Sequence, residues 1–206
     1  MGWDAGFLLY LQDNIRSDVL TPVMKFITHT GDKGIVLIAL VIILLIIPKM
    51  RQVGIIAAVS IAFEAIITNL FIKNIVARTR PYDSVEGLVS LIEKQKDYSF
   101  PSGHSGAAFA VAGVLIVIAL LGLPAVAEAG KITRTKMTLA YKLFAVLMII
   151  YAAVLAFSRM YVGVHYPTDI LGGTLLGVAT SFTAYFAYHV AIRKISVRKT
   201  LKTENA

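Results

Sequence analysis

Five runs in this chain carry few or no charges and are long enough, alone or with snorkelling flanks, to cross a hydrocarbon core that needs about 20 helical residues. They cover approximately 34–48, 53–72, 105–123, 143–158 and 170–192. Lipid offers the backbone no hydrogen-bond partners, so such runs restrict the fold to helices that satisfy their own polar groups. The expected architecture is an all-α integral membrane protein, a bundle of about five transmembrane helices, and the mean hydropathy of +0.76 agrees. The first and fourth runs are short. Either Lys33 and Lys142 stretch toward the headgroups or those helices begin earlier than the uncharged runs do.

Ahead of the first run, Leu8, Leu11, Ile15, Val19 and Val23 recur at three- and four-residue steps among Asp13, Asn14, Arg16 and Asp18, until Pro22 interrupts them. This pattern predicts an N-terminal interfacial amphipathic helix within about residues 1–30. Asp4 stands where a cleaved signal peptide has a basic segment and the apolar run 7–11 is too short for one, so the N-terminus is expected to be retained. At 206 residues, the whole chain 1–206 is expected to form one membrane-embedded domain.

Basic residues without a chemical task collect at Lys49 and Arg51, at Lys131, Arg134 and Lys136, and in a tail over 193–206. All three segments fall on one side of a five-span chain, which makes that side and the C-terminus cytoplasmic. Lys94 and Lys96 lie in the opposite loop and run against the pattern. In a membrane protein a formal charge of +8 marks this sidedness rather than a polyanion, so the bilayer is a partner and nucleic acid is not. With no cysteine, thiol catalysis, disulfides and cysteine metal sites are excluded.

The polar residues at the ends of the spans form three clusters. Lys73 is followed after six residues by Arg80-Pro81; Pro101-Ser102-Gly103-His104 opens the third span; Ser158-Arg159 is followed after five residues by His165 and, three residues later, Asp169. Pro167 places His165 in a loop and Asp169 in the first turn of the next helix, where its carboxylate can fix the imidazole tautomer and leave the other nitrogen as a nucleophile or base. Such an Asp is equally an ordinary helix cap. Ser102, Gly103 and His104 would present unpaired N–H groups at a helix N-terminus, a ready phosphate cradle, with His104 able to protonate a leaving oxygen; Ser102 is also a common N-cap. Lys73, Arg80 and Arg159 supply three cations on the side otherwise poor in them, although single basic residues at a membrane surface often only anchor to headgroups. Arg78 fits no required position and is read as an auxiliary contact at most.

In order, spacing and residue type these clusters resemble the three signature motifs of the type 2 phosphatidic acid phosphatase superfamily, across residues 73–169. The resemblance implies a lipid phosphate phosphatase in which His165 attacks phosphorus to form a phosphohistidine, Asp169 orients it and His104 protonates the leaving group. It further implies that Lys73, Arg80, Ser102, Gly103 and Arg159 hold the phosphoryl oxygens and that no metal or other cofactor is required. Membrane relatives usually have six spans; here the amphipathic N-terminal segment stands where the first would be. The expected substrate is a membrane lipid phosphate or diphosphate, first undecaprenyl diphosphate, with phosphatidylglycerophosphate or phosphatidate as the alternative. A non-catalytic lipid-phosphate carrier would keep the cations but would need neither both histidines nor Asp169.

Five readings remain. Glu64, inside the second span, is a candidate functional residue or an interhelical partner, and Asn69, one turn before Lys73, braces that lysine or bonds a neighbouring helix. The loop 82–99 carries Val85, Leu88, Val89 and Ile92 at helical spacing, which fits either a short helix on the membrane surface or a solvated connection. Gly173 and Gly177 predict close helix packing, and His29 and His189 are read as structural.

Overall fold

The computed structural model describes residues 2–126 and 132–204. Its helices are α1 (Trp3–Tyr10), α2 (Leu20–Thr30), α3 (Ile35–Ile46), α4 (Arg51–Ile66), α5 (Lys73–Val76), α6 (Pro81–Ser84), α7 (Gly103–Leu121), α8 (Leu139–Tyr161) and α9 (Pro167–Glu204). Among the described residues four helical runs are long and apolar enough to cross a membrane: Arg51–Ser84, Gly103–Leu121, Leu139–Tyr161 and Pro167–Val197. The pair α2 and α3, bent by 47° at its junction, makes a fifth when the two are counted as one span. The protein is a multi-pass helical membrane protein.

α7 is the central helix. Its residues Ala108, Ala110, Val111, Ala112, Val114 and Leu115 are fully buried against α4, α8 and α9. Lipid is as apolar as these side chains, so the contact is stabilised by close packing and interhelical hydrogen bonds rather than by escape from water. Gly173 and Gly177 of α9 provide it: a Cβ at these positions would lie 2.3 Å from the Ser102 and Gly106 carbonyl oxygens respectively. Ser60 donates to Ala110 O at 3.1 Å and ties α4 to the same helix. The outer faces invert the pattern of a soluble protein, with Ile42, Ile46, Leu147, Ile150, Leu175 and Phe186 all exposed.

Several expectations are revised. The N-terminal segment is divided into α1, a π-helical turn, Leu11–Ile15, and the amphipathic α2; Leu8 and Leu11 are buried against Val85, Leu88 and Tyr166. α2 packs against α8 and joins α3 at the 47° bend. Pro22 does not interrupt α2 because it occupies the first turn, where no intrahelical N–H bond is lost. Within 82–99, only residues 82–84, the end of α6, are helical. Beyond α6 the chain turns at Gly87, φ +81°; Val85 and Leu88 pack against Leu8, Leu11 and Tyr166 and Ile92 against Tyr161 and Val162, while Val89 is exposed. The span starting at 105 stops at Leu121, not 123: Gly122 at φ +78° leads into an antiparallel hairpin of β1 (Leu123–Val126) and β2 (Ile132–Thr135), which spacing alone did not reveal. Lys131, Asn205 and Ala206 of the expected basic segments lie outside the described residues, and the rest of the tail continues α9 to Glu204.

Candidate active site

All three clusters meet at one end of the bundle, because α4–α5 and α8 end there while α7 and α9 begin there. Pro81 at the start of α6 holds Arg80 extended, and Pro167 opens α9 immediately after the loop that carries His165. Lys73 follows a π-helical stretch, Ile67–Ile72, and Ala77 at φ +47° ends the helix beyond it.

His165 is buried at 1% exposure. Its Nδ1 lies 3.4 Å from Asp169 Oδ2, and its Nε2 lies 3.1 Å from Arg80 Nη1. A guanidinium only donates, so Nε2 is the bare lone pair and the ring proton sits on Nδ1 facing the carboxylate. Burial, followed by the charges of Arg80, Arg159, His104 and Lys73, holds the His165 pKa well below 6.5, so the imidazole is neutral. Asp169 is held on every side: Oδ2 also accepts from Ser99 Oγ at 2.5 Å and Tyr166 N at 2.8 Å, while Oδ1 accepts from Arg78 at 2.7 Å.

The cations surround this dyad. Arg80 donates to Val164 O at 2.9 Å and to the Asp97 carbonyl at 3.0 Å. Arg159, at 1% exposure, donates through Nη1 to Thr28 Oγ1 at 2.7 Å, and its buried Nε–H has no partner among the described residues. A buried guanidinium with an unused donor is suited to an incoming anion. Ser102 caps α7 by accepting from Ser105 N at 3.4 Å. Its own N–H donates to Asp169 O at 3.0 Å, so the phosphate cradle is narrower than expected: the N–H groups of Gly103 and His104 remain without a helical acceptor, and Ser102 contributes its hydroxyl.

A cavity of about 480 Å³ leads to Lys73 and His104 between the α2–α3 bend and α4, with Ile38, Ile61, Ala62, Ala65 and Ala107 as apolar walls. A second, polar cavity of about 580 Å³ is lined by Lys73, Arg78, Arg80 and Lys96. Asp97 borders both, pairing with Lys73 and, at 2.6 Å, with Arg80.

The comparisons with known proteins agree with this geometry. The model of the PAP2 superfamily matches residues 53–193. The chain belongs to that family. It is 32% identical over 163 residues to an undecaprenyl-diphosphatase of Sulfolobus acidocaldarius, covering 79% of this chain and 68% of that one. It is 30% identical over 170 residues to phosphatidylglycerophosphatase B of Bacillus subtilis, covering 82% and 75%. The crystal structure of a transmembrane PAP2-type phosphatidylglycerolphosphate phosphatase from B. subtilis superposes with a TM-score of 0.67 at 25% identity, over 88% of this chain and 82% of that one. LpxE of Aquifex aeolicus shares the fold, with a TM-score of 0.69 at 23% identity over 89% and 95%. As a PAP2 member of the membrane lipid phosphatase branch, the chain is an enzyme, a hydrolase of phosphate esters or anhydrides.

Three carboxylates and an arginine around this PAP2 site were not assigned from sequence. Arg78 bridges Asp169 to Asp4 of α1 at 2.7 Å on each side, with its guanidinium 3.8 Å above the Tyr166 ring, and it also lines the polar cavity beside Lys73 and Arg80. Asp97 bridges Lys73 and Arg80. Asp32 contacts His29 at 2.8 Å and His104 at 3.3 Å, so His29 has a polar partner beside the site. Glu64 accepts from Thr68 of its own span at 2.7 Å and lies against Gly106, while Asn69 caps Ala65 O at 2.9 Å instead of bracing Lys73.

Proposed function

We propose that the chain, acting as a single domain over residues 1–206, removes the terminal phosphate of undecaprenyl diphosphate through a phosphohistidine on His165. The observation that carries this reading is a buried neutral imidazole whose Nε2 lone pair lies among the cations Arg80, Arg159 and Lys73. The Nε2 lone pair attacks the terminal phosphorus, the bond to the bridging oxygen breaks, and that oxygen leaves with a proton from His104. Asp169 stabilises the charge that develops on the ring through Nδ1–H. Lys73, Arg80, Arg159, the Ser102 hydroxyl and the Gly103 N–H neutralise the phosphoryl oxygens. Water then attacks the phosphohistidine and passes its proton to His104 as the P–N bond breaks, which releases phosphate and neutral His165. The proposed steps call on no metal ion.

The site lies at the end of the bundle opposite Lys49, Arg51, Arg134, Lys136, Arg193 and Lys194, which supports an extracytoplasmic pocket and a cytoplasmic C-terminus. A polyprenyl carrier recycled after export presents its diphosphate on that face. The 32% identical relative of that name also supports this choice, whereas the 30% identical relative supports phosphatidylglycerophosphate as the second reading. His165→Ala should abolish turnover while the protein remains folded, and activity should persist in chelator; near-normal activity in the variant refutes the mechanism. Comparing kcat/KM for undecaprenyl diphosphate, phosphatidylglycerophosphate and phosphatidate in one detergent tests the substrate, and a clear glycerolipid preference overturns it. Single cysteines at Ser90 and Thr135, probed in intact cells with an impermeant maleimide, test sidedness: labelling only at Thr135 reverses it.

A further inference from the structure

Asp32 stands at the bend between α2 and α3. Its Oδ1 is 3.3 Å from His104 Nε2 and its Oδ2 is 2.8 Å from His29 Nδ1. The next two residues, Lys33 at φ +53° and Gly34 at φ +67°, are both left-handed, so the chain turns sharply just after the carboxylate and continues as α3 at 47° to α2. The preceding residue is shaped for the same contact. A Cβ on Gly31 would lie 2.5 Å from His104 Cδ2 and 3.0 Å from Leu155 Cδ1, so only glycine lets the bend seat itself on the imidazole edge.

Two independent features, a carboxylate and a glycine seat, therefore act on the same Nε2–Cδ2 edge of His104. A carboxylate oxygen only accepts, so the contact requires a proton on Nε2 and leaves Nδ1 as the nitrogen that faces the reaction. Asp32 is the carboxylate the structure places against this ring.

We propose that Asp32 is the positioning residue of His104: it fixes the ring so that Nδ1 delivers the proton to the leaving oxygen, as Asp169 fixes His165 for attack through Nε2. The inference rests on His104 being the proton donor of the proposed reaction. The two histidines are thus held by opposite edges, each by its own aspartate, and the bend of the first span has a catalytic reason.

The test compares an alkyl phosphate, whose leaving oxygen needs a proton, with 4-nitrophenyl phosphate, whose phenolate does not. Asp32→Asn should lower kcat on the alkyl ester by about 10-fold or more and on the nitrophenyl ester by less than about 3-fold. Combining it with His104→Ala should cost no more than His104→Ala alone, since both act on one proton transfer. The vanadate inhibition constant of Asp32→Asn should stay within about 2-fold of wild type, because the cations are untouched. If Asp32→Asn slows both esters equally while His104→Ala still discriminates between them, the positioning role falls and the donor survives. If His104→Ala itself slows both equally, the donor assignment fails instead. Should Asp32→Asn not fold, ¹⁵N NMR of the wild-type protein decides: a protonated Nε2 on His104 is the expected result, and a bare Nε2 overturns the proposal.

Discussion

Replacing Asp97 with Asn should make the enzyme bind phosphate more tightly. The Asp97 carboxylate pairs with Lys73 and, at 2.6 Å, with Arg80, the two cations assigned to the phosphoryl group. Burial by itself would raise its pKa, but hydrogen bonds and charge from Lys73 and Arg80 hold it at about 2, against an ordinary 3.8. It is therefore ionised at any working pH and contends with an incoming phosphate for the same donors. The fall from 3.8 to about 2 corresponds to about 2.5 kcal/mol. The side chain is 50% exposed, and solvent screening reduces this to about 1 kcal/mol, or about 5-fold in affinity. Asp97→Asn keeps the backbone carbonyl that receives Arg80 Nε at 3.0 Å, so the change is confined to the competing charge. Inhibition constants for orthovanadate and inorganic phosphate at pH 7, in wild type and variant, measure the effect, which should appear as values about 5-fold lower in Asp97→Asn. Unchanged or weaker inhibition would show instead that Asp97 holds Lys73 and Arg80 in their binding geometry and does not compete with the substrate.

Three further outcomes follow from the geometry. ¹⁵N NMR of His165 should show the neutral Nδ1–H tautomer well below pH 6.5, and protonation near 6.5 would contradict the buried environment; because the folded value lies below the unfolded one, stability is intact above pH 6.5 and declines as pH falls through this interval. Arg78→Gln should lower kcat with little change in KM, since Arg78 pairs with Asp169 and Asp4; a rise in KM alone would make it a phosphate contact instead. Gly173→Ala forces a Cβ to within 2.3 Å of Ser102 O and should lower the thermal midpoint and activity together, by about 1–3 kcal/mol of overpacking, whereas Gly6→Ala, with nothing within 4 Å, should do neither.

The cations and histidines of the site were legible because they occur at fixed offsets from helix ends, where a membrane protein otherwise has little reason to place them on that face. The spans were legible because lipid demands long apolar runs. What escaped was non-local. Asp32 precedes His104 by 72 residues, Asp4 precedes Arg78 by 74, and Asp97 is 24 residues from Lys73; no spacing rule connects pairs that only the bundle brings together. The hairpin and the folded loop over 85–99 were hidden for a related reason, since Gly122 and Gly87 set the chain's direction through positive φ while the apolar residues around them read equally well as helix.

Two of the missed carboxylates, Asp97 and Asp32, face groups that the sequence did reveal, and the third, Asp4, accepts from Arg78. Three buried or half-buried cations and two imidazoles near one phosphate position repel each other, and a bundle end that gathered them without counter-charges would not hold its shape. Each carboxylate relieves a different part of that repulsion. Asp169 accepts Arg78 and faces His165, Asp97 accepts Lys73 and Arg80, and Asp32 faces His104. Arg159 differs: it donates through Nη1 to Thr28, and among the described residues its Nε–H is unpaired. That asymmetry makes Arg159 the cation that gains most from substrate. Arg159→Lys, which keeps the charge but loses the planar fork, should therefore weaken vanadate binding more than Lys73→Arg does; equal losses would mean that net charge alone, and not the unpaired donor, draws the phosphate in.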